Sequence, residues 1–244
     1  MLRSIELKNF TVFPEANLNF ASGLNVIVGE NGAGKTHLLK LPYAFMAMSA
    51  EEGRKRNDPP TKIILQRRIA EKIFNVFRPE ERIGRLARRY KDRTRCEVDL
   101  KFGDPRTSVR FNFASQNTSE VVVGRVPLRW RARAPVFLPT RELMTIYPGF
   151  VPLYESHHVE FDETLRDTCL LLGAPTLKGP RGAETAALIE PLEEQFGGRV
   201  ILEKNGRFYT PLIWGCQHGN ASSCRGLAQA RYAGAADCHW LIAQ

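Results

Sequence analysis

Apolar and polar residues alternate through Ile5-Glu6-Leu7 and again around Leu18 and Phe20, so residues 2–28 are predicted as two strands in a hairpin or meander. Gly23 marks the turn before a further run, Leu24-Asn25-Val26-Ile27-Val28. That run is short, apolar and β-branched, the pattern of a buried parallel strand. From His37 the period lengthens, and His37-Leu38-Leu39-Lys40-Leu41 opens a helix expected to reach about Ala50 with Leu38 and Leu39 inward. Arg54-Lys55-Arg56-Asn57-Asp58-Pro59-Pro60 is a polar, proline-closed break. Thr61 then caps a predicted helix over Lys62–Phe77. Its Ile64, Leu65, Ile69, Ile73, Phe74 and Phe77 follow helical spacing, while Arg67, Arg68 and Lys72 take the other face. A second basic helix is expected over Glu80–Tyr90.

The period shortens to two at Cys96. Glu97–Phe102 and Ser108–Phe113 alternate cleanly about a Gly103-Asp104-Pro105 turn, and Glu120–Gly124 and Val126–Arg131 read as further strands. Pro135-Val136-Phe137-Leu138-Pro139 fits a return to the central sheet. Helical pattern resumes over Leu165–Leu172 and Glu184–Phe196, and Arg199–Tyr209 reads as a hairpin around Asn205-Gly206.

The residues between the third predicted strand and the first helix carry the chemistry. Gly29-Glu30-Asn31-Gly32-Ala33-Gly34-Lys35-Thr36 matches the phosphate-loop pattern G-x-x-x-x-G-K-[ST] at every required position. A strand, a glycine loop and a helix N-terminus in series aim backbone N–H groups and the positive end of the helix dipole into one concavity. Lys35 is expected to reach the β/γ-phosphates of a nucleoside triphosphate and the Thr36 hydroxyl to ligate Mg²⁺. The expected fold is therefore α/β: a P-loop NTPase with a central mixed sheet and an inserted helical plus β-meander subdomain. The core's N-terminal part is assigned to 1–50, the insertion to 51–134 and the continuation of the core to 135–209, with an atypical tail at 210–244.

Charge adds a second expectation. Fifteen of the 35 Lys and Arg lie between Arg54 and Arg95, and the remainder of the chain is slightly acidic. Such a segment can neutralise nucleic-acid phosphates, and it can equally be a solvated helical face or a surface for an acidic partner. Cys96, Cys169, Cys216, Cys224 and Cys238 form no C-x-x-C pair or metal-ligand spacing, as free thiols in a reducing compartment would. With no apolar run of membrane-spanning length and no signal-like N-terminus, the cytoplasm is the expected location and no membrane partner is expected.

Asn9-Phe10 followed by Asn31-Gly32-Ala33-Gly34-Lys35-Thr36 resembles the ATP-binding-cassette-type AAA-family ATPases related to RecF, to structural-maintenance-of-chromosomes proteins and to the overcoming-lysogenization-defect nucleases. The resemblance is specific over residues 1–45 and weaker to Tyr209, with Phe137-Leu138-Pro139-Thr140-Arg141-Glu142 similar to the predicted-ATPase branch. It implies ATP and Mg²⁺ as cofactors, a nucleotide-dependent homodimer of the full-length protein, and often work on DNA. The family manages its metal and attacking water with an apolar strand ending in Asp-Glu. Asp162-Glu163 follows residues too polar for such a strand, and Ala186–Glu190 is helical in period, so the catalytic residues are unassigned. Gln116 has surroundings unlike a Q-loop, and His157-His158 lacks metal-site spacing.

From Thr210 to Gln244 only Arg225, Arg231 and Asp237 are charged, although this stretch holds three of the five cysteines and two of the three tryptophans. The shift suggests translation out of frame after Tyr209. Asn220–Gln244 can be encoded so that a neighbouring frame reads as a leucine-rich amphipathic helix. The chain is then expected to be a C-terminally truncated, ATP-binding N-terminal portion whose hydrolytic carboxylates lie elsewhere. The alternatives are a non-hydrolysing, nucleotide-dependent DNA- or RNA-binding module, or an inactive fragment.

Overall fold

A computed structural model of the chain describes residues 1–89, 94–140, 143–156, 159–174, 179, 182–195, 198–202 and 207–209. His157-His158, the Asn205-Gly206 turn and the 210–244 tail lie outside the described residues. Two compact units are present. The first is Met1–Leu138 with Phe161–Thr164; the second comprises Pro139–Glu160 and the described part of Leu165–Gln244.

The first unit is built on a five-stranded antiparallel sheet of order β2-β1-β3-β4-β5. Its strands are β1 (Leu2–Phe10), β2 (Phe13–Asn19), β3 (Arg95–Phe102), β4 (Val109–Ala114) and β5 (Val122–Arg125). Register follows from the alternation: Ile5 lies opposite Leu18 and Leu100, Leu7 opposite Ala16 and Val98, and Val98 opposite Phe111. One sheet face is consequently apolar throughout. The other carries cross-strand ion pairs, Glu6–Lys101, Glu97–Arg110 at 3.4 Å and Asp99–Arg125 at 3.0 Å.

Two helices cover the apolar face, α1 (Lys35–Lys55) and α2 (Lys62–Phe77). Leu38, Leu41, Ala44, Phe45 and Met48 of α1 and Leu65, Ile69, Ile73 and Val76 of α2 form one buried core with the sheet. Helix α1 outlasts its expected end at Ala50 because Glu51 and Glu52 are anchored on α2. Glu52 accepts from Arg56 at 2.7 Å and Arg68 at 2.8 Å, and Glu51 accepts from Lys72 at 2.7 Å. Burial pushes the Glu52 carboxyl up, but its two guanidinium partners outweigh that and hold it below the ordinary value.

Five expectations are corrected. Leu24–Val28 is not a strand; it makes no backbone hydrogen bond among the described residues, and Leu24, Val26 and Val28 are 89, 74 and 87% exposed. An apolar, β-branched run becomes a strand only where a hydrogen-bonded neighbour lies beside it, and no described strand does. Pro135–Pro139 is likewise irregular: Phe137 packs on Tyr43 with ring centroids 5.3 Å apart, while Val136 and Leu138 are exposed. The basic helix over Glu80–Tyr90 is only a 3₁₀ turn, Ile83–Leu86, among the described residues. There Ile83 and Gly84 donate backbone N–H groups to Thr118 and Asn117, contacts that a continuing helix would break. Val126–Arg131 is irregular too: Leu128 and Arg129 donate their N–H groups to the Arg106 carbonyl rather than to a strand, and the Arg131 guanidinium lies 4.4 Å above the Phe102 ring. Leu39, expected inward, is half exposed, while Leu38 is buried.

The second unit holds α3 (Tyr147–Glu155), most of α4 (Glu163–Leu172), α5 (Ala183–Gln195) and the antiparallel pair β6 (Ile201–Leu202) with β7 (Phe208–Tyr209). The last two helices and the pair were expected. Helix α3 was missed because it contains Pro148 and Pro152; the former sits in the first turn, where proline is tolerated. No described helix is long and apolar enough to cross a membrane.

Candidate functional site

Residues Gly29–Thr36 form a loop that ends in the first turn of α1. Gly32 and Gly34 hold φ at +83° and +87°, left-handed values that glycine adopts without penalty, and Gly34 is the N-cap of α1. Ala33 donates its N–H to Glu30 at 3.2 Å and closes the turn. The Lys35 ammonium folds back over the loop, donating to the Gly29 carbonyl at 2.6 Å and the Glu30 carbonyl at 2.7 Å. An ammonium has three donors, so one remains. No side chain caps the start of α1 and no acid lies in its first turn. Among the described residues the backbone N–H groups of Lys35, Thr36 and His37 meet no acceptor. Thr36 is exposed beside them. The result is a concentration of positive potential with unspent donors, as a bound anion requires.

The β1–β2 turn supports this loop from behind. A Cβ at Gly34 would lie 2.5 Å from Val12 and 2.7 Å from the Phe13 ring, so only glycine permits this approach. The Thr11 hydroxyl pairs with His37 Nδ1 at 3.0 Å. The His37 ring packs edge-on against Phe10 and Phe77, at centroid distances of 6.4 and 5.5 Å. Asn9 and Thr11 carry φ of +51° and +46°, uncommon for residues with side chains. They are held by Asn9 Nδ2 donating to the Arg95 carbonyl and Thr11 N–H donating to the Leu86 carbonyl. This support was illegible in the sequence, because neither left-handed position is glycine.

Burial, and secondarily the Lys40 charge, lowers the His37 pKa below its ordinary 6.5. The unfolded chain therefore takes up a proton at a pH where the folded one resists it. Stability from this site is full above about pH 6.5 and is lost as the pH falls through that value toward the lower folded pKa. Melting temperatures measured between about pH 7.5 and about pH 5.5 should fall with acidification, and His37→Gln should flatten that decline. An equal slope in the variant would assign the pH dependence to other groups.

The remaining sequence candidates have other occupations. Asp162 pairs with Lys40 at 2.9 Å and accepts from the Thr164 N–H at 3.1 Å, while Glu163 pairs with Lys72 at 3.0 Å. Ala186–Glu190 lies within α5, as its period indicated. Gln116 is exposed in the turn after β4. The basic segment is partly self-neutralised. Arg56, Arg67, Arg68, Lys72 and Arg85 have carboxylate partners, whereas Arg54, Lys55, Lys62, Arg78 and Arg88 have none among the described residues. Sequence counting registered the charges but not their partners.

Known proteins resemble parts of the chain. It is 42% identical over 57 residues to the DNA replication and repair protein RecF of Streptococcus gordonii, covering 23% of this chain and 15% of that protein. It is 30% identical over 96 residues to RecF of Hydrogenovibrio crunogenus, covering 38% of this chain and 25% of that protein. The matches thus span a quarter or less of these relatives. A solved structure described under ATP-driven dimerization and DNA-stimulated activation of SMC ATPases aligns with 80% of this chain and 95% of its own, at 14% identity and a TM-score of 0.31. A likeness at that score carries no argument about fold or function. The AAA-domain profile matches residues 4–133, more than half of the chain and inclusive of the glycine loop, the β1–β2 turn and the sheet, and the chain belongs to the AAA-domain family.

Proposed function

We propose that the chain binds ATP with Mg²⁺ on Gly29, Glu30, Asn31, Gly32, Ala33, Gly34, Lys35 and Thr36, as the N-terminal portion of a RecF-like ATPase. The observation that carries this reading is the pairing of a folded-back Lys35 ammonium with unspent N–H groups at the uncapped start of α1. The loop amides cradle the phosphates, and Lys35 leaves the two carbonyls for the β/γ-phosphates. The exposed Thr36 hydroxyl suits Mg²⁺, a hard cation that takes oxygen ligands and keeps several waters. When bound, Mg²⁺ would neutralise charge on the phosphate oxygens.

Hydrolysis needs a carboxylate that orients water near the metal. Asp162 and Glu163 are engaged by Lys40 and Lys72, so the chain alone binds ATP without multiple turnover. On this reading residues 210–244 are out of frame and the hydrolytic carboxylates lie in the other frame, which sequencing the gene across the Tyr209 codon tests. The full-length protein pairs two such heads around nucleotide. Arg54, Lys55, Lys62 and Arg78, without carboxylate partners among the described residues, offer a salt-sensitive contact for DNA, in keeping with the name of the RecF relatives.

Calorimetric titration with Mg·ATP should give saturable binding that Lys35→Ala weakens at least about a hundredfold, consistent with loss of a charge-assisted phosphate contact. Phosphate release should stay at background in both proteins. Retained affinity in Lys35→Ala would remove the site assignment. Lys35-dependent turnover would mean that a carboxylate within this chain is catalytic.

A further inference from the structure

We propose that Arg88 is a second nucleotide-contacting cation, presented to the phosphate loop by the β1–β2 turn; this rests on the ATP-binding reading of Gly29–Thr36. Arg88 lies just after the Ile83–Leu86 turn, more than fifty residues from the loop in sequence, and no motif singles it out. The fold brings it back by three contacts. Ala87 forms an isolated bridge with Phe10, the Arg88 N–H donates to the Asn9 carbonyl at 2.8 Å, and its guanidinium Nη1 donates to the Val12 carbonyl. Val12 is the residue whose side chain lies 2.5 Å from where a Gly34 Cβ would stand. The guanidinium is thus one residue removed from the loop.

Electrostatics argues against a purely bracing role. A carbonyl oxygen needs only a neutral donor, whereas Arg88 brings a full charge to a solvent-accessible contact with no carboxylate partner among the described residues. Through Val12 the same turn packs against Gly34, which directly precedes Lys35 and is the N-cap of the uncapped α1. Glu30, the loop's own carboxylate, is exposed and makes no ion pair there. Like-signed groups with no counter-charge among the described residues repel one another, and an anion reverses the sign of that energy. A guanidinium carries five N–H donors in a planar fork. With one spent on Val12, the others suit the phosphate oxygens of a nucleoside triphosphate, which Arg binds in bidentate fashion. The left-handed Asn9 and Thr11 fit this role, since strained non-glycine backbone persists where surrounding contacts impose it and concentrates at ligand sites.

Calorimetry with Mg·ATP on the full chain tests the proposal. Arg88→Gln keeps a polar amide but has no charge, and its amide ends two bonds short of the arginine Nη1 that reaches the Val12 carbonyl. It should bind ATP about tenfold more weakly, with Arg88→Lys recovering to within about threefold and the exposed neighbour Arg89→Ala within about twofold of wild type. Melting temperatures of the ATP-free variants should match wild type. Arg88→Gln binding like wild type while Lys35→Ala loses binding would overturn the role of Arg88 and leave the loop assignment intact. A weakening that Arg88→Lys fails to rescue, accompanied by a lowered melting temperature, would overturn it in favour of a brace. Absence of ATP binding by the wild type would remove both readings. Wild-type protein provides a check free of folding effects. Phenylglyoxal labelling read by mass spectrometry should show saturating Mg·ATP protecting Arg88 but not Arg89, and equal labelling of Arg88 with and without ATP would overturn the proposal.

Discussion

Gly34→Ala is expected to destabilise the Met1–Leu138 unit by about 2–5 kcal/mol and to remove Mg·ATP binding. Two costs add at this position. Its φ of +87° places a Cβ against the following carbonyl, about 1–2 kcal/mol for an L-residue. The same Cβ would stand 2.5–2.7 Å from Val12 and Phe13, forcing the β1–β2 turn away from the loop at an overpacking cost of about 1–3 kcal/mol. Gly32 separates the two effects, because its φ is also left-handed, at +83°, but nothing lies within 4 Å of its Cβ position. Gly32→Ala should therefore show only the conformational part, about 1–2 kcal/mol. Urea midpoints for the two variants measure the difference. Adding Val12→Ala to Gly34→Ala should return part of the lost stability. Equal midpoints for the two single variants would mean that the turn does not press on the loop.

What the sequence made legible, and what it concealed, follows from the range of the forces involved. Helix α2 falls on Lys62–Phe77 as its period predicts, because one strongly apolar stripe and a proline-closed break are local signals. The pairing of Glu97–Phe102 with Ser108–Phe113 was legible for the same reason, with the turn written between them. The glycine loop was legible as a motif. Its support was not, since Val12 against Gly34 and Arg88 against Val12 are contacts between segments far apart in the chain. Leu24–Val28 shows the converse failure. Its letters specify a strand, but a strand is a property of a pair, and no described neighbour completes it. Arg68 and Lys72 were placed on the helix face opposite the apolar stripe, with a solvated face and a partner surface both open. They turn toward Glu51 and Glu52 of α1, and period alone cannot distinguish a charged face in water from one against a charged neighbour.

That neighbour is the basis of the second large effect. Lys72→Met should cost about 3–5 kcal/mol, the range for removing one member of a buried ion network. The Lys72 side chain is 4% exposed and its ammonium bridges Glu51 at 2.7 Å and Glu163 at 3.0 Å. Without it two carboxylates face each other, and Arg68, 3.9 Å from Glu51, gives partial compensation. Arg67, paired with Glu120 at 3.6 Å on the surface, is the contrast: Arg67→Ala should cost less than about 0.5 kcal/mol. Replacing the whole group by Lys72→Met, Glu51→Leu and Glu163→Leu should recover most of the loss, because the damage lies in uncompensated charge rather than in lost attraction. Urea unfolding of these variants tests the ranking, and a Lys72→Met midpoint close to wild type would show that water already screens the network. The effect should also be confined to one end of α1. Glu51 is sixteen residues from Lys35, about 24 Å along a helix at about 1.5 Å per residue, beyond the reach of a screened charge. Mg·ATP affinity of the folded Lys72→Met protein should therefore stay within about twofold of wild type. A larger change would mean that the helix transmits strain from its ion-paired end to the phosphate loop, and that nucleotide binding and the α1–α2 network are energetically coupled.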